Sequence, residues 1–131
     1  MKITKNPDKG KALSLLNMAE TTFERLKDTD IEKYPSNTLI DYYNIIHNLM
    51  ESLCTIKGIK FSGEGSHYEL IKHICKEYNL DERFIQQLRD YRNRISYEGF
   101  HIRKSYITQN RNRLDNIIQS LKIKIELKLN D

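Results

Sequence analysis

The chain has very little punctuation. Five glycines and two prolines interrupt 131 residues, and between them apolar side chains recur at three- and four-residue steps. Gly and Pro are the residues that most often stop regular structure. Steps of three and four are the period of an α-helix buried along one side. Few breaks and many such runs leave room for a handful of long helices and little else. The length suits one domain with its own core. With 38% hydrophobic and 31% charged residues, the composition is globular rather than disordered.

Asn6 and Pro7 open the first run, as cap and first helical position. Ala12, Leu15, Leu16, Ala19, Phe23 and Leu26 form its stripe, which ends near Asp28. Pro35-Ser36-Asn37 breaks the chain and caps a second helix. Leu39, Tyr42, Tyr43, Ile46, Leu49, Leu53 and Ile56 line it, and Gly58 stops it. Gly63 and Gly65 supply turn freedom, and Ser66 with Glu69 reads as a capping box for a short helix over Ser66–Tyr78. No lysine follows those glycines at phosphate-loop spacing, so they read as a turn. Asp81 caps a fourth helix with Phe84, Leu88, Tyr91 and Ile95 inward, and Gly99 ends it. A fifth starts near Arg103 with Leu114, Ile117, Ile118 and Leu121 inward. Its tail, "KIKIELKL", alternates at period two, but a lone terminal strand has no evident partner, so the helix is expected to continue. The expected class is all-α: an up-and-down bundle of four long helices with one short insert.

No apolar run reaches bilayer length, and the first residues are not flanked like a secretory signal. A cytoplasmic protein without membrane contact is expected, with Cys54 and Cys75 as reduced, buried thiols. His47 and Glu51 share a helix face, but that pairing alone is a weak metal signal. His67 and His73, six residues apart, face different ways and make a poor chelating pair. No metal and no cofactor is expected.

The net charge of +4 is uneven: from Arg83 to Arg113 there are eight Lys/Arg against two Asp/Glu, a balance of +6. Such a segment suits a phosphate-bearing partner, although a solvated charged face has the same composition. Within it, Arg89, Arg92, Asn93 and Ser96 recur at helical steps on a side different from the apolar stripe. A guanidinium beside a carboxamide holds a phosphate through several directed hydrogen bonds. Arg89, Arg92 and Arg94 are the candidate phosphate ligands. Tyr97 and His101 follow near the helix end.

The order of elements resembles the HEPN family (higher eukaryotes and prokaryotes nucleotide-binding domain) over nearly the whole chain. The second helix running into "IKGIKFSGEGSHYELIKHI" is similar to the family's link between second and third helices. "LRDYRNRISYEGF" resembles the family's active helix, whose motif is arginine, a polar residue, a short gap and histidine. Arg92 matches the motif arginine and Asn93 the polar residue. At the nearest spacing the histidine position holds Tyr97, a phenol with a pKa of about 10 and a poor base at neutral pH. Tyr97 can still donate a hydrogen bond or stack on a base. A second alignment takes Arg94 with His101, puts Ile95 in the polar position, and leaves His101 past Gly99, on a loop that can reach back toward Arg92.

The resemblance implies a homodimer packed around the active helices, with RNA or a nucleotide in the cleft. It implies candidate catalytic residues Arg92, Asn93, Tyr97 and His101. One expectation is a metal-independent endoribonuclease toxin, countered by a nucleotidyltransferase antitoxin that in some cases adds AMP to a tyrosine near the motif. The other is a HEPN-like module that has lost cleavage and binds a nucleotide, RNA or a nucleotidyltransferase through the same surface. A helical adaptor that binds protein only is the third.

Overall fold

A computed structural model describes all 131 residues. Five helices account for 74% of the chain: α1 (Lys9–Leu26), α2 (Pro35–Lys57), α3 (Ser66–Tyr78), α4 (Glu82–Glu98) and α5 (Lys104–Leu129). Two three-residue strands, β1 (Lys2–Thr4) and β2 (Ile59–Phe61), pair antiparallel, with Lys2 opposite Phe61 and Thr4 opposite Ile59.

Helix α2 is the axis of the molecule. Leu39, Tyr42, Tyr43, Ile45, Ile46, Leu49, Met50 and Leu53 are all buried. A helix apolar around much of its circumference needs neighbours on several sides, and α2 packs against α1, α3, α4 and α5. Ala12, Leu16, Ala19 and Leu26 of α1 are buried, as are Ile107, Leu114, Ile118, Leu121 and Ile125 of α5. The "KIKIELKL" tail is helical through Leu129, as its register with the rest of α5 dictates. No helix is long and apolar enough to cross a membrane.

Two hydrogen bonds fasten helices together inside this core. Ser52 Oγ donates to Ala12 O at 2.8 Å, fastening α1 to α2. The Tyr42 hydroxyl donates to Asp115 Oδ1 at 2.9 Å, fastening α2 to α5. Burial and the nearby carboxylate push this phenol up to about 12, so it stays a donor. Cys54 and Cys75 are buried and unpaired, and burial pushes both thiols up to about 12.

Several element ends differ from the sequence reading. The cap of α1 is Asp8, whose Oδ1 accepts from Lys11 N at 2.9 Å, rather than Asn6. Residues 5–8 are held instead along the end of α2: Lys5 N donates to Gly58 O at 2.7 Å and Asp8 N to Thr55 O at 3.1 Å. Helix α2 already includes Pro35-Ser36-Asn37, the stretch read as its cap, and Tyr34 is its uncapped boundary. Ser36 Oγ is then free to accept from Ile102 N at 3.0 Å. The Ser66–Glu69 capping box does not form. Gly65, in the left-handed region, precedes the helix with no side-chain cap, and Glu69 lies 3.3 Å from the amino terminus of Met1.

Candidate functional site

The N-terminal end of α3 faces the outer side of α4 across an open groove of about 460 Å³. Gly65, Ser66, His67 and Tyr68 form one wall, and Arg89, Arg92, Asn93 and Tyr97 form the other. The four α4 residues meet there because steps of three and four keep them on one face. The same helix carries Phe84, Ile85 and Leu88 into the core, with Leu88 one turn before Arg92. Cross-links hold the walls in register. Gln86 Nε2 donates to Tyr68 O at 3.0 Å, Arg89 Nε donates to Gln86 Oε1 at 3.0 Å, and the Arg89 guanidinium lies 5.7 Å from the Tyr68 ring centroid.

The two arginines are not equivalent. Arg89 has a carboxylate neighbour, Asp90, at 3.1 Å. Arg92 has no ion pair. Its Nη1 donates to Asn93 Oδ1 at 3.1 Å, and its guanidinium sits 5.5 Å from the Tyr43 ring centroid. Its Nε is buried and makes no hydrogen bond. A buried donor without an acceptor costs about 1–3 kcal/mol. Asn93 orients the guanidinium. The uncapped start of α3 adds outward-facing amides and the positive end of a helix dipole. Glu64 is the one acidic residue lining the groove.

Four of the sequence candidates therefore share one site: Arg89, Arg92, Asn93 and Tyr97. Two do not. Arg94 lies two residues from Arg92, about 200° around the helix, and its guanidinium covers the Phe100 ring at 4.1 Å. His101 lies beyond Gly99, whose left-handed turn (φ 69°) redirects the chain. Ile102 is buried and tied to Ser36, and His101 lines the space beside Phe100 and the start of α2 instead. It does not reach back to Arg92.

The groove holds a histidine that the sequence reading weighed only as a metal ligand. His67 Nδ1 is 3.2 Å from the Tyr43 hydroxyl, and its ring lies 4.2 Å, centroid to centroid, from that of His47. Tyr43, His47 and Glu51 follow one another at four-residue steps on α2, so the cluster extends from the groove along that helix. Its signal was a stripe of three polar groups on an otherwise apolar helix, of which the His47–Glu51 pair was visible. Burial pushes the Tyr43 phenol up to about 12. Burial, then the neighbouring His67, Arg92 and Lys60, pushes His47 down to about 4. Glu51 Oε1 is 3.8 Å from His47, beyond hydrogen-bond range, and Glu51 is shared with Lys60 at 3.6 Å. His67 is lowered as well, first by burial and then by Arg92.

These shifts set a pH dependence of stability. In the unfolded chain both imidazoles titrate near pH 6.5; in the fold they bind protons only at lower pH. Their contribution is complete above about pH 6.5 and is lost as pH falls toward 4. Urea denaturation at pH 7.5 and pH 5 is expected to show a loss of about 1–3 kcal/mol at the lower pH. His47→Leu is expected to flatten that difference; an unchanged pH profile in this variant would assign the acid sensitivity elsewhere.

Comparison of the chain with protein families, with curated proteins and with solved structures finds no match.

Proposed function

We propose that the chain is a HEPN-like protein whose α3–α4 groove binds the phosphate backbone of single-stranded RNA. The observation that carries this reading is Arg92: a guanidinium with no ion pair, braced by Asn93, with a buried Nε lacking an acceptor. Planar guanidinium groups suit phosphate oxygens, which accept two parallel hydrogen bonds. Tyr97, 76% exposed, and Tyr68, 44% exposed, stand on opposite walls of the groove. Aromatic rings on either side of a cationic track are the arrangement that stacks unpaired bases. This pairing favours a single strand over a duplex, whose bases are already stacked, and over inorganic phosphate, which has no base.

A fluorescent unstructured oligoribonucleotide, titrated in EDTA, tests the reading. Binding is expected to exceed that of a duplex of the same sequence. It is also expected to weaken with salt, with a log–log slope of roughly −0.7 to −1.4 for one or two phosphates held. Salt-independent binding, or equal affinity for the duplex, would contradict it.

A further inference from the structure

We infer that a strand held in the α3–α4 groove continues along α2 into a second phosphate site, a lysine-lined pocket at the far end of that helix. The inference rests on the RNA reading of the groove and extends it from one grip to a track.

The pocket exists because of Gly58. Its left-handed turn ends α2 and lets residues 5–8 lie across the helix end, with Lys5 N donating to Gly58 O and Asp8 N to Thr55 O. This strap, the start of α1, the end of α2 and β2 then surround a cavity of about 200 Å³. Lys5, Lys11 and Lys60 line it, with Asn6 and Thr55 as neutral polar groups. The ammonium groups of Lys5 and Lys11 make no hydrogen bond and no ion pair. Asp8 is the one carboxylate in the lining, and its Oδ1 already accepts from Lys11 N as the cap of α1. Ile59 is the one apolar lining residue. The pocket therefore offers charge and hydrogen bonds to an anion and no surface on which a base could stack.

Geometry joins this pocket to the groove. Tyr43, His47, Glu51 and Thr55 follow at four-residue steps on one face of α2. Tyr43 meets His67 and Arg92 at the groove, and Thr55 lines the lysine pocket. Between them the His47 and Glu51 side chains keep 18% and 21% of their surface exposed. From Tyr43 to Thr55 the helix axis advances about 18 Å, the length of roughly five stacked nucleotides at about 3.4 Å each. Lys60 bridges the interval. It lines the pocket, and its Nζ lies 3.6 Å from Glu51 Oε2, so it offsets the one carboxylate on the stripe.

The two ends differ in chemistry. Tyr68 and Tyr97 give the groove aromatic walls, where bases stack. The far pocket holds backbone alone, which positions a strand without reading its sequence. Lysine suits that end: an ammonium is a point charge on a flexible stem and follows a phosphate whose place varies.

The test uses the full chain and fluorescence anisotropy with two unstructured oligoribonucleotides, one of about three nucleotides and one of about ten. The short one reaches the groove alone and the long one spans both sites. Wild type is expected to bind the long strand about 10-fold more tightly, with a log–log salt slope steeper by roughly 0.7–1.4, for one or two further phosphates. The slope separates a second grip from the extra registers that any longer strand offers. The double variant Lys5→Gln, Lys11→Gln is expected to weaken long-strand binding about 3- to 10-fold and return its slope toward that of the short strand. Its affinity for the short strand is expected to stay within about twofold, which also shows an intact fold. Equal slopes for the two lengths in wild type overturn the track and leave the groove reading standing. Long-strand binding that the double variant leaves unchanged overturns it too, as does an equal loss for both lengths. Protein that binds neither strand overturns the groove reading along with it.

Discussion

Replacing Arg92 with alanine is expected to weaken single-stranded RNA binding about 10- to 100-fold, since a hydrogen bond to a charged group contributes about 1.5–3 kcal/mol. The fold should tolerate the change. The Arg92 side chain makes no ion pair, and its removal also eliminates a buried Nε that has no acceptor. Against this, the contact with the Tyr43 ring at 5.5 Å is lost, a term of about 0.5–1 kcal/mol. Arg92→Lys separates charge from geometry. It keeps the cation and loses the planar fork, so it should recover part of the affinity and restore the salt slope. Arg89→Ala should cost less, because Asp90 already neutralises part of that charge. Equal affinities for wild type and Arg92→Ala, by fluorescence anisotropy at one salt concentration, would remove Arg92 from the site.

Gly58→Ala is expected to be the most damaging single methyl in the chain. Gly58 ends α2 with φ 76°, where a Cβ costs roughly 1–2 kcal/mol. The added Cβ would also fall 2.2 Å from the carbonyl oxygen of Lys5. The N-terminal strap must then move, and the Lys5–Gly58 and Asp8–Thr55 backbone bonds loosen with it. The total is about 3 kcal/mol, or a fall in Tm on the order of 10 °C for a domain of this size. Gly63→Ala is the control. Gly63 has φ 83° but open space around its Cβ position, so it should show the backbone cost alone. Similar Tm values for the two variants would mean that the strap does not press on Gly58 in solution.

Much of the fold was legible because helices announce themselves by period and punctuation. The stripes of α1, α2, α4 and α5 point inward as their three- and four-residue steps require, and Gly58 and Gly99 end helices in left-handed turns. The β1–β2 pair was not legible. Three residues carry no readable period, and Met1–Thr4 finds its partner beyond α2, a tertiary match that local pattern does not contain. Caps were read partly wrongly for a related reason: Asn6 and Ser36 have capping chemistry, but the strap along α2 and the Ile102 contact use those positions otherwise.

The site divides the same way. Arg89, Arg92, Asn93 and Tyr97 share one helix, so their common face followed from spacing. Which residue of another element would face them did not. His67 and Tyr43 come from two further helices, and only the packing of α3 and α2 against α4 brings them to Arg92. Where the helix stops, spacing loses its meaning, and His101 shows it: near Arg92 in sequence, it is turned away by Gly99 and held by its neighbour Ile102.

The most direct measurement observes the Arg92 guanidinium itself. In a proton–nitrogen NMR spectrum of arginine side chains, the Arg92 Nε–H signal, assigned by its absence in Arg92→Lys, is followed as unstructured oligoribonucleotide is added. A phosphate gripped in the groove predicts a large, saturable shift of this signal and smaller shifts at Arg89, while the Arg94 signal stays still against Phe100. Saturable binding that leaves the Arg92 signal unmoved would contradict the account.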